Sequence, residues 1–431
     1  MAMATKWATV PGFRSQTLGA RLPPAAAVPL ICWCVGGSSP LAAAQAAQDF
    51  GAPWLTEAEY EFGEGISGGG AASFSLISTV RALEGGECIL VVEPAHLRIT
   101  IWRPDGSLVR EVGGPGEGPG EFRGPLFLEV HPGGFGARDS QRYSTFSNDG
   151  ELIASTPFPP RGLRFDGRRL RPQALLADGS FLAAPIVDAT AQTGFGGNEP
   201  IESIRVLHLH GAEDQWEMTP IATLDIRNQS MILKPEGLNS PTGIHMGQLY
   251  GDHDLTWYDP GAGNVVVLRR NLGGGEVEIL EIAASGDTLW HRLLSPPAVR
   301  FGADRVAAAF DGAARNLAAA TPSGVSVDAM RDALEGALFI PNPMPGATRM
   351  HGTASGEIWF RGYQSQDTLA VWYAAKRDGA GLRQVLLPRG FRPMDATDTH
   401  VWGVRRGELG VEYVAGRRLV APRGAEPGGQ S

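Results

Sequence analysis

The chain has 431 residues, 43% hydrophobic and 19% charged, so it can bury a substantial core and does not have the composition of a disordered protein. Its 58 Gly and 32 Pro make up about a fifth of the residues, above the usual share, and imply many turns. Its 37 basic and 46 acidic side chains leave a net charge of -9. That balance argues against a nucleic-acid partner or a polybasic membrane patch, both of which need clustered Lys and Arg.

The amino terminus carries Lys6, Arg14 and Arg21, then an apolar stretch over residues 22–35, then small residues suited to cleavage after Ala46. Residues 1–46 therefore read as a secretory signal and the protein as exported, to the periplasm or beyond. The apolar stretch falls short of the ~20 residues of a membrane-spanning helix, so no transmembrane segment is expected after signal removal. Cys32 and Cys34 leave with the signal, and Cys88 is expected to remain as a lone, buried thiol. Residues 47–73 include GEGISGGGAAS and read as a linker. Gly63, Gly65 and Gly68 formally match a dinucleotide fingerprint, but a strand-like SFSLISTV follows where that chemistry needs a helix.

From residue 74 the chain turns to short apolar or alternating runs separated by Gly, Asp and Asn. SLISTVRAL, ECILVVE, LRITIWR and SLVREVG form a first four-stranded antiparallel unit, with Asp105-Gly106 as a hairpin turn. LFLEVHP, GFGARD, RYSTFS and ELIASTPF repeat it. The Arg-rich run at 161–172 (RGLRFDGRRLRP) reads as a solvated loop. A third unit runs from QALLADGSFLAAP through IRVLHLH to about Leu224, and a fourth from Ile244 through NVVVLRR to about Leu294. The Ala-rich residues 303–338 have apolar side chains three and four apart and predict two short amphipathic helices inserted between units four and five. EIWFRG, LAVWYAAK and LRQVLLP belong to a fifth unit. The sixth begins at Phe391 and continues through HVWGVRR, LGVEYVAG and RRLV, leaving residues 421–431 as a flexible tail. Four-stranded units cannot bury both faces alone, so six of them stacked radially, closing residues 74–420 into an all-β six-bladed propeller, is the expected fold.

The stretch ILVVEPAHLRITIWRPDGSLVREVGGPGEGPGEFRGP resembles the blade signature of bacterial exported six-bladed β-propeller proteins, relatives of the NHL-repeat propellers. In that pattern an acidic residue, a short loop and an aromatic near the end of the third strand precede Asp-Gly, and a Gly-Pro-Gly-Glu-Phe turn follows. The likeness extends over nearly all of residues 74–420, including a helical insertion ahead of a blade carrying Gly356-Glu357-Ile358-Trp359. Unit two departs from it, with Asp139-Ser140-Gln141-Arg142 in place of a fuller loop. The resemblance implies the fold and an exported location, and no particular reaction.

No nucleophile elbow, H-E-x-x-H, EF-hand loop or C-x-x-C is present. In a meander, the loop between strands two and three and the connection to the next blade share one face. That face carries Glu93, His96, Arg98, Glu117, Glu121, Asp139 and Arg142 as charged ligand-binding candidates, although turn acids commonly just accept backbone amides. His208 and His210 project from one side of a strand and could begin a metal site given further ligands. Asp252-His253-Asp254 is a polar cluster of the kind that also solvates turns. The reading that follows is a non-catalytic scaffold, without cofactor, for a protein, peptide or glycan ligand. The alternative is a lactonase-like or lyase-like enzyme with calcium or zinc on the ring axis.

Overall fold

The computed structural model describes residues 50–63, 73–124, 126–194, 199–212, 215–270, 272–321, 324–365, 368–377, 381–407 and 410–422. The secretory signal and most of the glycine-rich run at 63–72 lie outside them. The chain path is a six-bladed β-propeller of antiparallel sheets.

The first strand met, β1 (Leu55–Phe62), falls within the segment expected to be a linker. Blade one follows as β2 (Thr79–Leu83), β3 (Cys88–Glu93), β4 (Arg98–Trp102) and β5 (Leu108–Gly113). Cys88 is half-buried rather than buried. Blade two is β6 (Phe127–His131), β7 (Gly134–Arg138), β8 (Arg142–Ser147) and β9 (Leu152–Pro157). Blade three has five strands: β10 (Arg164–Phe165), β11 (Arg168–Leu175), β12 (Phe181–Pro185), β13 (Ser203–Ala212) and β14 (Gln215–Asp225), with a short helix, α1 (Ala189–Thr193), after β12. The Arg-rich run is therefore not a loop. Asp166-Gly167 turns a small hairpin, and the alternating Arg168, Leu170 and Pro172 begin an inner strand.

The ribbon of β15 (Ser230–Leu233) and β16 (Ile244–Gly247) stands outside the blades, so blade four begins later than Ile244. It comprises β17 (Leu255–Asp259), β18 (Asn264–Arg269), β19 (Val277–Ala283) and β20 (Thr288–Leu294). The expected helices follow as α2 (Ala303–Ala320) and α3 (Val327–Ala337), the second capped by Ser326, whose hydroxyl accepts from Ala329 N at 3.1 Å. Their apolar stripes, with Ala314, Met330 and Leu334 fully buried, pack on Met231 and Leu233 of the ribbon. The ribbon thus serves the helical insertion.

Blade five is β21 (Arg349–Gly352), β22 (Glu357–Ser365), β23 (Leu369–Lys376) and β24 (Leu382–Pro388). Blade six has β25 (Phe391–Ala396), β26 (His400–Arg406) and β27 (Glu412–Val420). Sequence reading divides that last stretch into two strands, but Glu412–Val420 is one. The fourth strand is β1, paired from Leu55↔Val420 to Phe62↔Val414, so the two ends of the ring are zipped inside one sheet.

Within each blade the strands run outward from the axis, and the inner strands β2, β6, β11, β17, β21 and β25 encircle it. Apolar layers fill the gaps between blades. Phe122, from the glycine-rich connection after blade one, is 1% exposed and packs among Leu90, Val92, Phe135 and Phe146 of blades one and two. Gly113 holds φ +94° just before it, and a Cβ there would lie 2.2 Å from the Phe122 ring. The GPGEF segment is thus an interblade wedge.

Candidate functional site

Six inner strands give the axis two ends. At one end, the turns between first and second strands surround a cavity of about 660 Å³, lined by Arg81, Glu129, Arg138, Asp259, Arg377 and Asp395, among others. These residues come from different blades and sort into acid–guanidinium pairs. Asp259 meets Arg377 at 2.6 Å, Asp395 lies 3.9 Å from Arg81, and Glu129 sits beside Arg138. Asp395 is 1% exposed and accepts from Ala82 N, Ala354 N and Ala396 N, each at 2.8 Å. An axial cation would need donors that are free to turn toward it. Each of these carboxylates is already faced by a guanidinium, so the residues here do not suit a metal on the axis.

Glu129 is perturbed most informatively. Burial pushes its pKa up to about 7, against the opposing pull of Arg138 and of the Tyr143 hydroxyl, which donates to Oε2 at 2.8 Å. The folded protein then holds this proton more tightly than the unfolded chain, whose carboxyl titrates near 4.5. Its stability contribution is complete below pH 4.5 and is lost as pH rises toward 7. Glu129 is half-buried, so solvent screening leaves on the order of 2 kcal/mol. Urea denaturation at pH 5 and pH 8 should show Glu129→Gln losing that much less stability than the wild type across the interval. Equal losses in the two proteins would refute the assignment.

At the opposite end, the starts of the inner strands surround a second cavity of about 620 Å³. This face also carries the loops between second and third strands and the connections between blades, as the meander argument requires. Arg349, Arg361, Arg389 and Arg392 line the opening, and no acidic side chain is among the described residues lining it. Arg349 and Arg361 are direct cross-strand partners in the ladder of β21 and β22. Burial lowers the Arg361 pKa, and repulsion from Arg349 and Arg389 lowers it further. Tyr250, Phe301 and Tyr363 form an aromatic trio next to these arginines, with ring centroids 5.7–6.4 Å apart. Arg305, from α2, lies 4.2 Å over the Phe301 ring.

The charged candidates on blades one and two occupy this same face, where they hold loops together. Glu93 is fully buried, receiving Arg98 Nη2 at 2.7 Å and Ser75 N at 3.3 Å. Asp139 caps its turn through Arg123 N, Gln141 N and Arg142 N at 2.7–3.0 Å. Arg142 donates to the carbonyls of Gly118 and Glu121, and Glu121 Oε2 accepts from Gly118 N. Glu117 is ion-paired with Arg123, and His96 is exposed at its turn. The arginines of blades five and six are absent from that candidate set. The Gly356-Glu357 hairpin could have found them: with Gly352 opposite Ile358, Arg349 must lie opposite Arg361.

Asp252-His253-Asp254 proves to be interblade structure. Buried Asp254 accepts from Asp225 N at 2.8 Å, and the His253 carbonyl accepts from Arg270 Nε at 2.5 Å. His208 and His210 lie off the axis, on blade three. There the structure adds Asp178 to them, the group of His, Cys, Asp or Glu side chains that could share a cation among the described residues.

No protein-family model and no curated protein matches this chain. Among solved structures it is similar to a member of the DUF4221 family from Bacteroides vulgatus, at 9% identity over 85% of this chain and 98% of that one, with a TM-score of 0.45. It is also similar to a putative exported protein from Bacteroides fragilis (9% identity, 85% and 96% covered, TM-score 0.38) and to a streptogramin B lyase (12% identity, 84% and 98% covered, TM-score 0.38). The activities those names carry belong to those proteins. The class defined by this chain's own strands is the six-bladed β-propeller. No described helix is long and apolar enough to cross a membrane.

Proposed function

We propose that the protein is an exported, non-catalytic binding propeller that seats an acidic glycan over the arginine-rimmed end of its axial channel. The observation carrying this reading is the Arg349–Arg361 pair. Directly opposed residues in an antiparallel ladder have Cβ atoms roughly 5 Å apart, and like charges there destabilise the sheet. In a chain with net charge -9, Arg81, Arg389 and Arg392 also line this opening, Arg392 with Glu412 at 3.6 Å, and an anionic ligand would relieve the repulsion between Arg349 and Arg361. Guanidinium forks bind carboxylates and sulfates in two-point fashion. The adjoining Tyr and Phe rings offer apolar faces with polar edges, suited to the carbon face and hydroxyls of a sugar. The secretory pattern of residues 1–46 supports an extracytoplasmic ligand.

Titration calorimetry with polygalacturonate, an uncharged glucan and polyglutamate tests this. Polygalacturonate should bind, weaken as salt rises, and lose about 10-fold or more in affinity with Arg349→Ala or Arg361→Gln, in line with the ~1.5–3 kcal/mol of a charge-assisted hydrogen bond. Equal binding of the glucan, or unchanged affinity in folded variants, would sink the proposal. Binding of polyglutamate alone would reassign the ligand to an acidic peptide.

A further inference from the structure

We propose that Asp178, His208 and His210 form a zinc-type cation site on the rim of blade three, separate from the arginine opening. Side chains alternate along β13, and Leu207 and Leu209 bury against Phe181 and Ala183 on one face. Val206, His208 and His210 share the other face, where Val206 and Leu182 pack against Val265 and Val267 of blade four. Toward the end of the strand that apolar layer gives way to the two imidazoles. The turn between β11 and β12 brings Asp178 to the same place, so that one ligand atom from each residue lies within 4.8 Å of the others.

Ser180 organises the group. It is 2% exposed, and its N and Oγ both donate to Asp178 Oδ1, at 2.9 and 2.5 Å. Having given its proton to Asp178, the hydroxyl can only accept from His208 Nε2, 2.7 Å away. His208 therefore carries its proton on Nε2 and its lone pair on Nδ1. A buried outer partner that fixes the tautomer is the arrangement that ligating histidines require. Asp178 keeps Oδ2 for a ligand bond. Two imidazoles and one carboxylate suit Zn²⁺ in four-coordination with water in the last position, whereas calcium prefers six to eight oxygens. A bound ion would tie the turn between β11 and β12 to β13.

The test uses the full mature chain without a histidine tag. One equivalent of Co²⁺ should give the intense visible absorption of a four-coordinate ion, Zn²⁺ should displace it, and Zn²⁺ should raise Tm. His208→Ala/His210→Ala should abolish all three responses. The milder Asp178→Asn, which still accepts from Ser180, should weaken Zn²⁺ binding about 10-fold or more. Failure of the wild type to bind one equivalent would overturn the proposal. So would unchanged responses in both variants, which would assign the metal to the other seven histidines.

Discussion

Replacing Asp395 by Ala should destabilise the propeller by about 3–5 kcal/mol, read as a lower urea midpoint at unchanged slope. Its single carboxylate holds backbone amides of blade one (Ala82), blade five (Ala354) and blade six (Ala396). Burial opposes its ionisation and raises its pKa, while Arg81 and the three amides pull the other way. Deleting the side chain leaves two fully buried N–H groups and one partly buried one without an acceptor, at about 1–3 kcal/mol each, less some local relaxation. It also removes the counter-charge of Arg81, whose Nη1 keeps only the carbonyls of Gly352 and Met394. Asp395→Asn retains an acceptor oxygen and should fall between wild type and Ala. A loss below about 1 kcal/mol for Asp395→Ala would show that the ring does not depend on this junction.

The strand order of blades one and two, and of the outer three strands of blade five, was legible because each strand is a short apolar run punctuated by an Asp-Gly or Gly-rich turn. The helical insertion was legible from a period that switches to three and four. Blade six was not, because its fourth strand lies some 350 residues upstream, and LTEAEYEF at Leu55–Phe62 shows a strand pattern only when its partner is known. Ile244 reads in sequence as the start of the fourth blade for a related reason. Local pattern shows that Ile244–Gly247 is extended, but its pairing with Ser230–Leu233 and the packing of Ile244 and Met246 against the core of α2 and α3 are tertiary facts.

At the candidate site, the meander argument selected the face that carries the proposed arginine opening, while the motif-bearing loops drew attention to blades one and two rather than to blades five and six. Glu93, Asp139 and Arg142 stand out in sequence because the repeat needs them to cap turns. The opposed Arg349 and Arg361 break the pattern instead, and it is on that departure that the proposed function rests. The grouping of Asp178 with His208 and His210 crosses from one hairpin to another strand, and only one of its spacings is visible locally.

Ring closure supplies the other large effect. A chain beginning at residue 47 should fold, whereas one beginning at residue 74 should lose cooperative unfolding or form oligomers, as judged by calorimetry and light scattering. If residues 47–73 were only a linker, the two chains would behave alike. The truncation removes all of β1, leaving only the outer edge of β27 unpaired while β26 still pairs its inner edge, and so creates an exposed sheet edge that invites pairing with another copy. It also removes Phe50, Trp54 and Phe62. Phe50 packs on Tyr373 of blade five at 4.5 Å, Trp54 bridges to Val385, and Phe62 packs on Trp102 of blade one at 5.3 Å. Truncating one buried aromatic costs about 3–5 kcal/mol, and a domain's whole stability is only about 5–15 kcal/mol. Losing β1 therefore removes as much as the fold has to spare. Phe62→Ala in the longer chain separates packing from pairing: it should lower stability by about 3 kcal/mol while the protein stays monomeric, because the ladder from Leu55 to Phe62 remains.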